Sequence, residues 1–147
     1  MAAMGRPIDI LLVEDDPGDE LITREAFTDN KIHNTLHVVR DGLQALDFLF
    51  RTGEYADAPR PDLVLLDLQL PGCDGREVLT RIRADRDLAA IPVIVLTASA
   101  AESDILRSYR LAANAYVTKP VEIEEFTAAL RKIEDFFLTV VRLPEHD

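Results

Sequence analysis

Leu63-Val64-Leu65-Leu66-Asp67 is the stretch on which the reading of the chain turns. Four apolar residues run without alternation, so both faces of the segment require cover, the pattern of a strand inside a parallel sheet. An aspartate ends the run, and a loop over Leu70 to Cys73 follows. Four more runs of similar character flank it, at Ile8 to Val13, Thr35 to Val39, Val93 to Leu96 and Ala115 to Val117.

Between these runs the apolar residues change to helical spacing. The sets are Leu21, Ile22 and Ala26; Leu43, Leu46 and Phe50; Val78, Leu79 and Ile82; Ile105, Leu106 and Tyr109; and Ile123, Phe126, Leu130, Ile133 and Phe137. Strand followed by helix, five times over, predicts an α/β fold with a five-stranded, doubly wound parallel sheet. Parallel neighbours cannot be joined by a tight turn, and right-handed crossovers place helices on both faces. Asp16 before Pro17, and Asp74 before Gly75, read as helix starts. Thr52 to Pro61, with Gly53, Pro59 and Pro61, reads as a loop.

The 147 residues, 48% of them hydrophobic, suffice for one domain with a sizeable core. A formal charge of −11, from 27 acidic and 16 basic residues with no dense basic cluster, argues against nucleic acid as a partner. The apolar runs fall far short of the roughly 20 residues of a membrane-spanning helix, and there is no apolar signal core, so a cytoplasmic chain without a membrane partner is expected. Cys73 is the single cysteine and excludes an internal disulfide. His33, His37 and His146 lack metal-ligand spacing and are read as bystanders.

In open α/β sheets ligands bind beyond the carboxyl ends of the strands. There the sequence places Glu14, Asp15 and Asp16 after the first strand, Asp67 after the third, Thr97 after the fourth and Lys119 after the fifth. Crowded carboxylates repel one another unless a cation lies among them, and hard oxygen donors suit Mg²⁺. With a nucleophilic carboxylate added, the natural chemistry is phosphoryl transfer. Asp67 attacks, the metal and Lys119 neutralise charge, and Thr97 donates a hydrogen bond to the new phosphoryl group.

The segments Leu11-Leu12-Val13-Glu14-Asp15-Asp16, Leu65-Leu66-Asp67-Leu68-Gln69-Leu70-Pro71-Gly72, Leu96-Thr97-Ala98 and Tyr116-Val117-Thr118-Lys119-Pro120 closely resemble receiver domains of two-component response regulators. The resemblance spans about residues 7–137 and implies a flavodoxin-like receiver topology. It implies that Asp67 is phosphorylated and that the metal site comprises Glu14, Asp15, Asp67 and the backbone carbonyl of Gln69. Asp15 would be the direct carboxylate ligand and Glu14 would act mostly through water. It further implies that Thr97 moves toward the phosphoryl group while Tyr116 turns inward, and that Lys119 precedes Pro120 through a cis peptide. Such a chain is a switch driven by a histidine kinase and performs only Mg²⁺-dependent self-phosphorylation. Val121 and Cys73 depart from the commoner phenylalanine and methionine.

Residues 1–6 read as a tail, 7–137 as the receiver domain and 138–147 as a C-terminal extension too short for an output domain. The last helix reads as continuing past its expected end, and its apolar residues Phe136, Phe137, Val140, Val141 and Leu143 cover more than one stripe, which predicts a homodimer through this C-terminal face. Gly53-Glu54-Tyr55 and the ending from Phe137 to Pro144 resemble single-domain regulators of phytochrome-type histidine kinases, making a bacteriophytochrome the expected partner. An aspartate-nucleophile phosphatase would need an acid where Gln69 stands. A flavodoxin-like carrier would need a phosphate-cradling loop where Glu14, Asp15 and Asp16 stand.

Overall fold

The computed structural model describes residues 8–29, 34–70, 74–97, 113–119, 122–129 and 131. Five strands form one sheet: β1 (Ile8–Val13), β2 (Asn34–Val39), β3 (Leu63–Asp67), β4 (Val93–Thr97) and β5 (Ala115–Thr118). Their spatial order is β2-β1-β3-β4-β5, and every neighbouring pair is parallel. Helices α1 (Pro17–Asp29), α2 (Gly42–Phe50) and α3 (Gly75–Ala84) follow the first three strands, and residues 123–129 are helical after β5. The expected α/β architecture is therefore present. The helix expected around Ile105 to Tyr109, the Lys119–Pro120 peptide, Cys73, Val121 and the extension after residue 131 lie outside the described residues.

β3 and β4 are buried along their whole length, as their unalternating apolar runs require. Successive residues feed two cores. One takes Leu11, Val13, Val64, Leu66, Val93 and Val95 against Phe48 and Leu49 of α2 and Val78, Leu79 and Ile82 of α3. The other takes Ile10, Leu12, Leu63, Leu65, Ile94 and Leu96 against Ala26 and Phe27 of α1 and Phe126 of the C-terminal helix. The Phe27 and Phe126 rings meet edge to face, with centroids 6.0 Å apart at 83°.

Three strands run one residue past their apolar stretch, to take in Asp67, Thr97 and Thr118, and β2 starts one residue early at Asn34. Ladder hydrogen bonds depend on the backbone, so a polar side chain does not end the pairing. Beyond them Leu68 N–H donates to Leu96 O (3.1 Å) and Lys119 N–H to Thr97 O (2.7 Å).

Two helical stripes differ from expectation. Leu21 and Leu43 are 59% and 60% exposed. In α1 the buried line passes through Thr23, Ala26 and Phe27, and Thr23 tolerates burial because its hydroxyl donates to Asp19 O at 2.9 Å. In α2 it passes through Gly42, Ala45, Phe48 and Leu49, which turns Leu43 outward.

The loop after α2 is more ordered than expected. Arg51 and Gly53 both adopt left-handed backbone (φ 58°), and a short 3-10 turn at Gly53–Tyr55 brings Tyr55 to 5.5 Å from the Phe48 ring. His37 is a structural residue, pairing through Nε2 with Asp9 Oδ1 at 3.0 Å while its ring packs on Phe48.

Truncating the fully buried Phe126 to Ala should cost about 3–5 kcal/mol. Leu43→Ala, equally apolar in sequence, should stay within about 0.5 kcal/mol of wild type. Urea unfolding monitored by circular dichroism measures both.

Candidate functional site

β1 and β3 lie side by side at the centre of the sheet, and the chain leaves them for opposite faces, α1 packing on one core and α3 on the other. The register pairs Val13 with Leu66, so Glu14 and Asp67 are the next residues along adjacent strands. Carboxyl ends of strands at such a reversal form a natural crevice. Asp16 shapes its near wall: its Oδ1 accepts the Gly18 N–H at 2.8 Å and starts α1 behind Pro17.

Asp67 is 2% exposed, and both of its carboxylate oxygens are held. Gln69 N–H donates to Oδ1 at 2.9 Å, and Lys119 Nζ lies 2.6 Å from Oδ2. The same ammonium lies 3.2 Å from Glu14 Oε2 and 3.1 Å from Asp19 Oδ2. Burial opposes a charged lysine, but the hydrogen bond and charge of Asp67, helped by Glu14 and Asp19, outweigh it and raise its pKa above the ordinary lysine range. Lys119 is thus a permanent cation reaching across the sheet from β5.

Glu14 is fully buried. Desolvation, then the nearby charge of Asp67, push its carboxyl up to about 7, against the downward pull of Lys119 and the Asp16 amide. Its Oε1 is buried with no hydrogen-bond partner. A buried carboxylate oxygen left unpaired is costly, and one lysine cannot neutralise Glu14, Asp15, Asp19 and Asp67 together. Carboxylate oxygens of Glu14, Asp15 and Asp67 lie within 4.8 Å of one another, and Asp15 is exposed to solvent. An orphaned oxygen beside an all-oxygen donor set fits a hard divalent cation with some of its water retained.

Thr97 is fully buried on β4, one step past Leu96, the register partner of Asp67. The sequence reading therefore has Glu14, Asp15, Asp67, Thr97 and Lys119 at the same end of the sheet. Gln69 also joins the site, its amide orienting Asp67. Tyr116 packs on the edge of the α2–α3 core, and its hydroxyl accepts the Ala113 N–H at 3.0 Å. Asp19 is the residue sequence reasoning missed. It sits in the first turn of α1, four residues after Asp15, and an acid in that turn beside an acidic strand end was the available signal.

With this fold and this cluster in place, the chain matches the family described as response regulator receiver domain over residues 10–131 and belongs to it. It is a response regulator of the two-component type. Response regulator Rcp1 from Synechocystis sp. is 46% identical over 135 residues, covering 92% of each chain. The Mn(2+)-bound form of Rcp1 superposes with a TM-score of 0.76 at 45% identity, covering 91% of this chain and 96% of that one. Bacteriophytochrome response regulator RtBRR gives a TM-score of 0.80 at 46% identity over 86% of this chain and 78% of its own. The phosphorylated cyanobacterial phytochrome response regulator RcpA gives 0.76 at 44% identity, covering 90% and 94%.

The raised Glu14 pKa sets a pH dependence. A carboxyl at 4.5 in the unfolded chain and about 7 in the folded one contributes stability that is fully present below pH 4.5 and is lost as pH rises toward 7. In metal-free protein, Glu14→Gln should therefore gain stability relative to wild type as pH goes from 4.5 to 7.5, on the order of 3 kcal/mol. Parallel denaturant titrations in chelator at both pH values measure the difference.

Proposed function

We propose that this chain is a single-domain, cytoplasmic response regulator whose Asp67 accepts a phosphoryl group from the phosphohistidine of a phytochrome-type histidine kinase, with Mg²⁺ as cofactor. The observation that carries the reading is a buried Asp67 carboxylate gripped by Lys119 and the Gln69 amide beside Glu14 and Asp15. The phytochrome partner is supported by likeness to Rcp1, RtBRR and RcpA, and the two-component role by the family itself.

In the reaction an Asp67 oxygen attacks phosphorus, the P–N bond to the kinase histidine breaks, and the imidazole leaves with the bonding pair and takes up a proton. An acyl phosphate remains. The Gln69 amide and Lys119 fix the rotation of the carboxylate before attack, which removes orientational freedom from the barrier. Lys119 then faces the incoming phosphoryl oxygens and stabilises charge that builds up there. Glu14, Asp15, Asp67 and the Gln69 carbonyl would hold Mg²⁺, which supplies neutralisation of the phosphoryl oxygens when bound.

Signalling needs contacts that differ between two states, since a modification shifts a population only by its differential interactions. Thr97 hydrogen-bonds the phosphoryl group in one state. In the other Tyr116 keeps its hydroxyl on Ala113, a bond surrendered when the ring turns inward. Two copies pair through the apolar C-terminal sequence from Phe136 to Leu143.

Incubation with Mg²⁺ and a small acyl-phosphate donor, followed by intact mass, tests the chemistry. Wild type should gain one phosphoryl group, while Asp67→Asn and chelator-treated protein gain none. Lys119→Ala should label about 10²-fold more slowly. Equal labelling of wild type and Asp67→Asn would assign the acceptor elsewhere.

A further inference from the structure

Gly75, the first residue of α3, lies against the backbone of the Asp67 turn. A Cβ built at Gly75 would sit 2.4 Å from Asp67 O, 2.6 Å from Leu68 Cα and 3.1 Å from Leu68 C. Real Cβ contacts essentially never fall below 3.0 Å, and these neighbours are backbone, which cannot rotate aside as a flexible side chain does. Conformational freedom is not the reason for glycine here: among the described residues the positive-φ positions are Arg51 and Gly53. The requirement at Gly75 is space.

The contact is also bonded. Gly75 N–H donates to Leu68 O at 3.2 Å, Leu68 N–H donates to Leu96 O at 3.1 Å, and Gln69 N–H holds Asp67 Oδ1 at 2.9 Å. Asp74 caps the helix by accepting the Arg76 N–H on Oδ1 at 2.8 Å. The turn carrying Asp67 is thus clamped between β4 on one side and the start of α3 on the other.

Resting on the phosphoacceptor reading, we infer that Gly75 is a positioning residue for Asp67. By admitting the helix start to direct backbone contact, it fixes the Asp67–Gln69 turn that presents the carboxylate and the amide gripping it. Adding a methyl group would force that turn or the helix back by more than half an ångström, a displacement borne by the metal-facing groups before the core.

The test compares Gly75→Ala with Gly53→Ala, a control that strains a left-handed backbone in the loop after α2. Mg²⁺ affinity by calorimetry, labelling by a small acyl phosphate and unfolding midpoint are measured for both. Gly75→Ala should bind Mg²⁺ at least about fivefold more weakly and label up to about 10²-fold more slowly than Gly53→Ala at comparable stability. Affinity and rate within twofold of the control would overturn the inference.

If Gly75→Ala does not fold, Asp74→Ala removes the cap that seats the helix start, while Asp74→Asn keeps a cap and removes only the charge. Weaker Mg²⁺ binding in the alanine variant alone supports the clamp, and equal binding in the two overturns it. A wild type that neither binds Mg²⁺ nor takes label would instead sink the phosphoacceptor reading, and this inference with it.

Discussion

Negative charge concentrated where water is scarce is the constraint around which this molecule is arranged. Glu14, Asp19 and Asp67 all approach one ammonium, that of Lys119, with Asp15 beside them in solvent. Exposed ion pairs contribute little, but here two of the acids are essentially buried, so losing the cation would strand uncompensated charge. The lysine still leaves the cluster with surplus charge. Burial, and after it the neighbouring charge of Asp67, make the Glu14 carboxyl resist ionising, and its Oε1 is left without a hydrogen-bond partner. A site short of positive charge is prepared for a divalent cation.

The surrounding fold supplies rigidity. Two cores, one on each face, bury β1, β3 and β4 so completely that their carboxyl ends have little freedom to separate. Because ladder bonding continues through Asp67 and Thr97, these residues inherit the order of the sheet rather than the looseness of a loop. The close approach of Gly75 to the Asp67 backbone extends that order to the turn beyond. Catalytic placement to fractions of an ångström is more attainable on such elements than on free loops.

A switch must combine this rigid acceptor with something that moves. Tyr116 lies on the edge strand β5, half buried, and its hydroxyl accepts the N–H of Ala113 three residues earlier. A neutral hydrogen bond of this kind is worth about 1 kcal/mol net. On the proposed function, the chemistry sits at the centre of the sheet and the readout at its margin.

Much of this was legible in the sequence, because side-chain type and periodicity report which faces of a segment avoid water. The unalternating runs at Ile8, Leu63 and Val93 specify buried parallel strands, and the polar residues ending them, with Lys119 after the run at Ala115, specify acid, hydroxyl and ammonium on one rim. Periodicity carries no information about which of two mildly apolar helix faces packs inward, so Leu21 and Leu43 point outward while Thr23 is buried. Nor does it report distances between residues remote in sequence. That Asp19 joins Lys119, that Glu14 is sealed from water, and that the start of α3 touches the Asp67 backbone depend on how whole elements settle against one another. Residue chemistry was written in the chain. The distances and dielectric surroundings that set its strength arise only in the packed structure, since both are properties of neighbours that folding alone supplies.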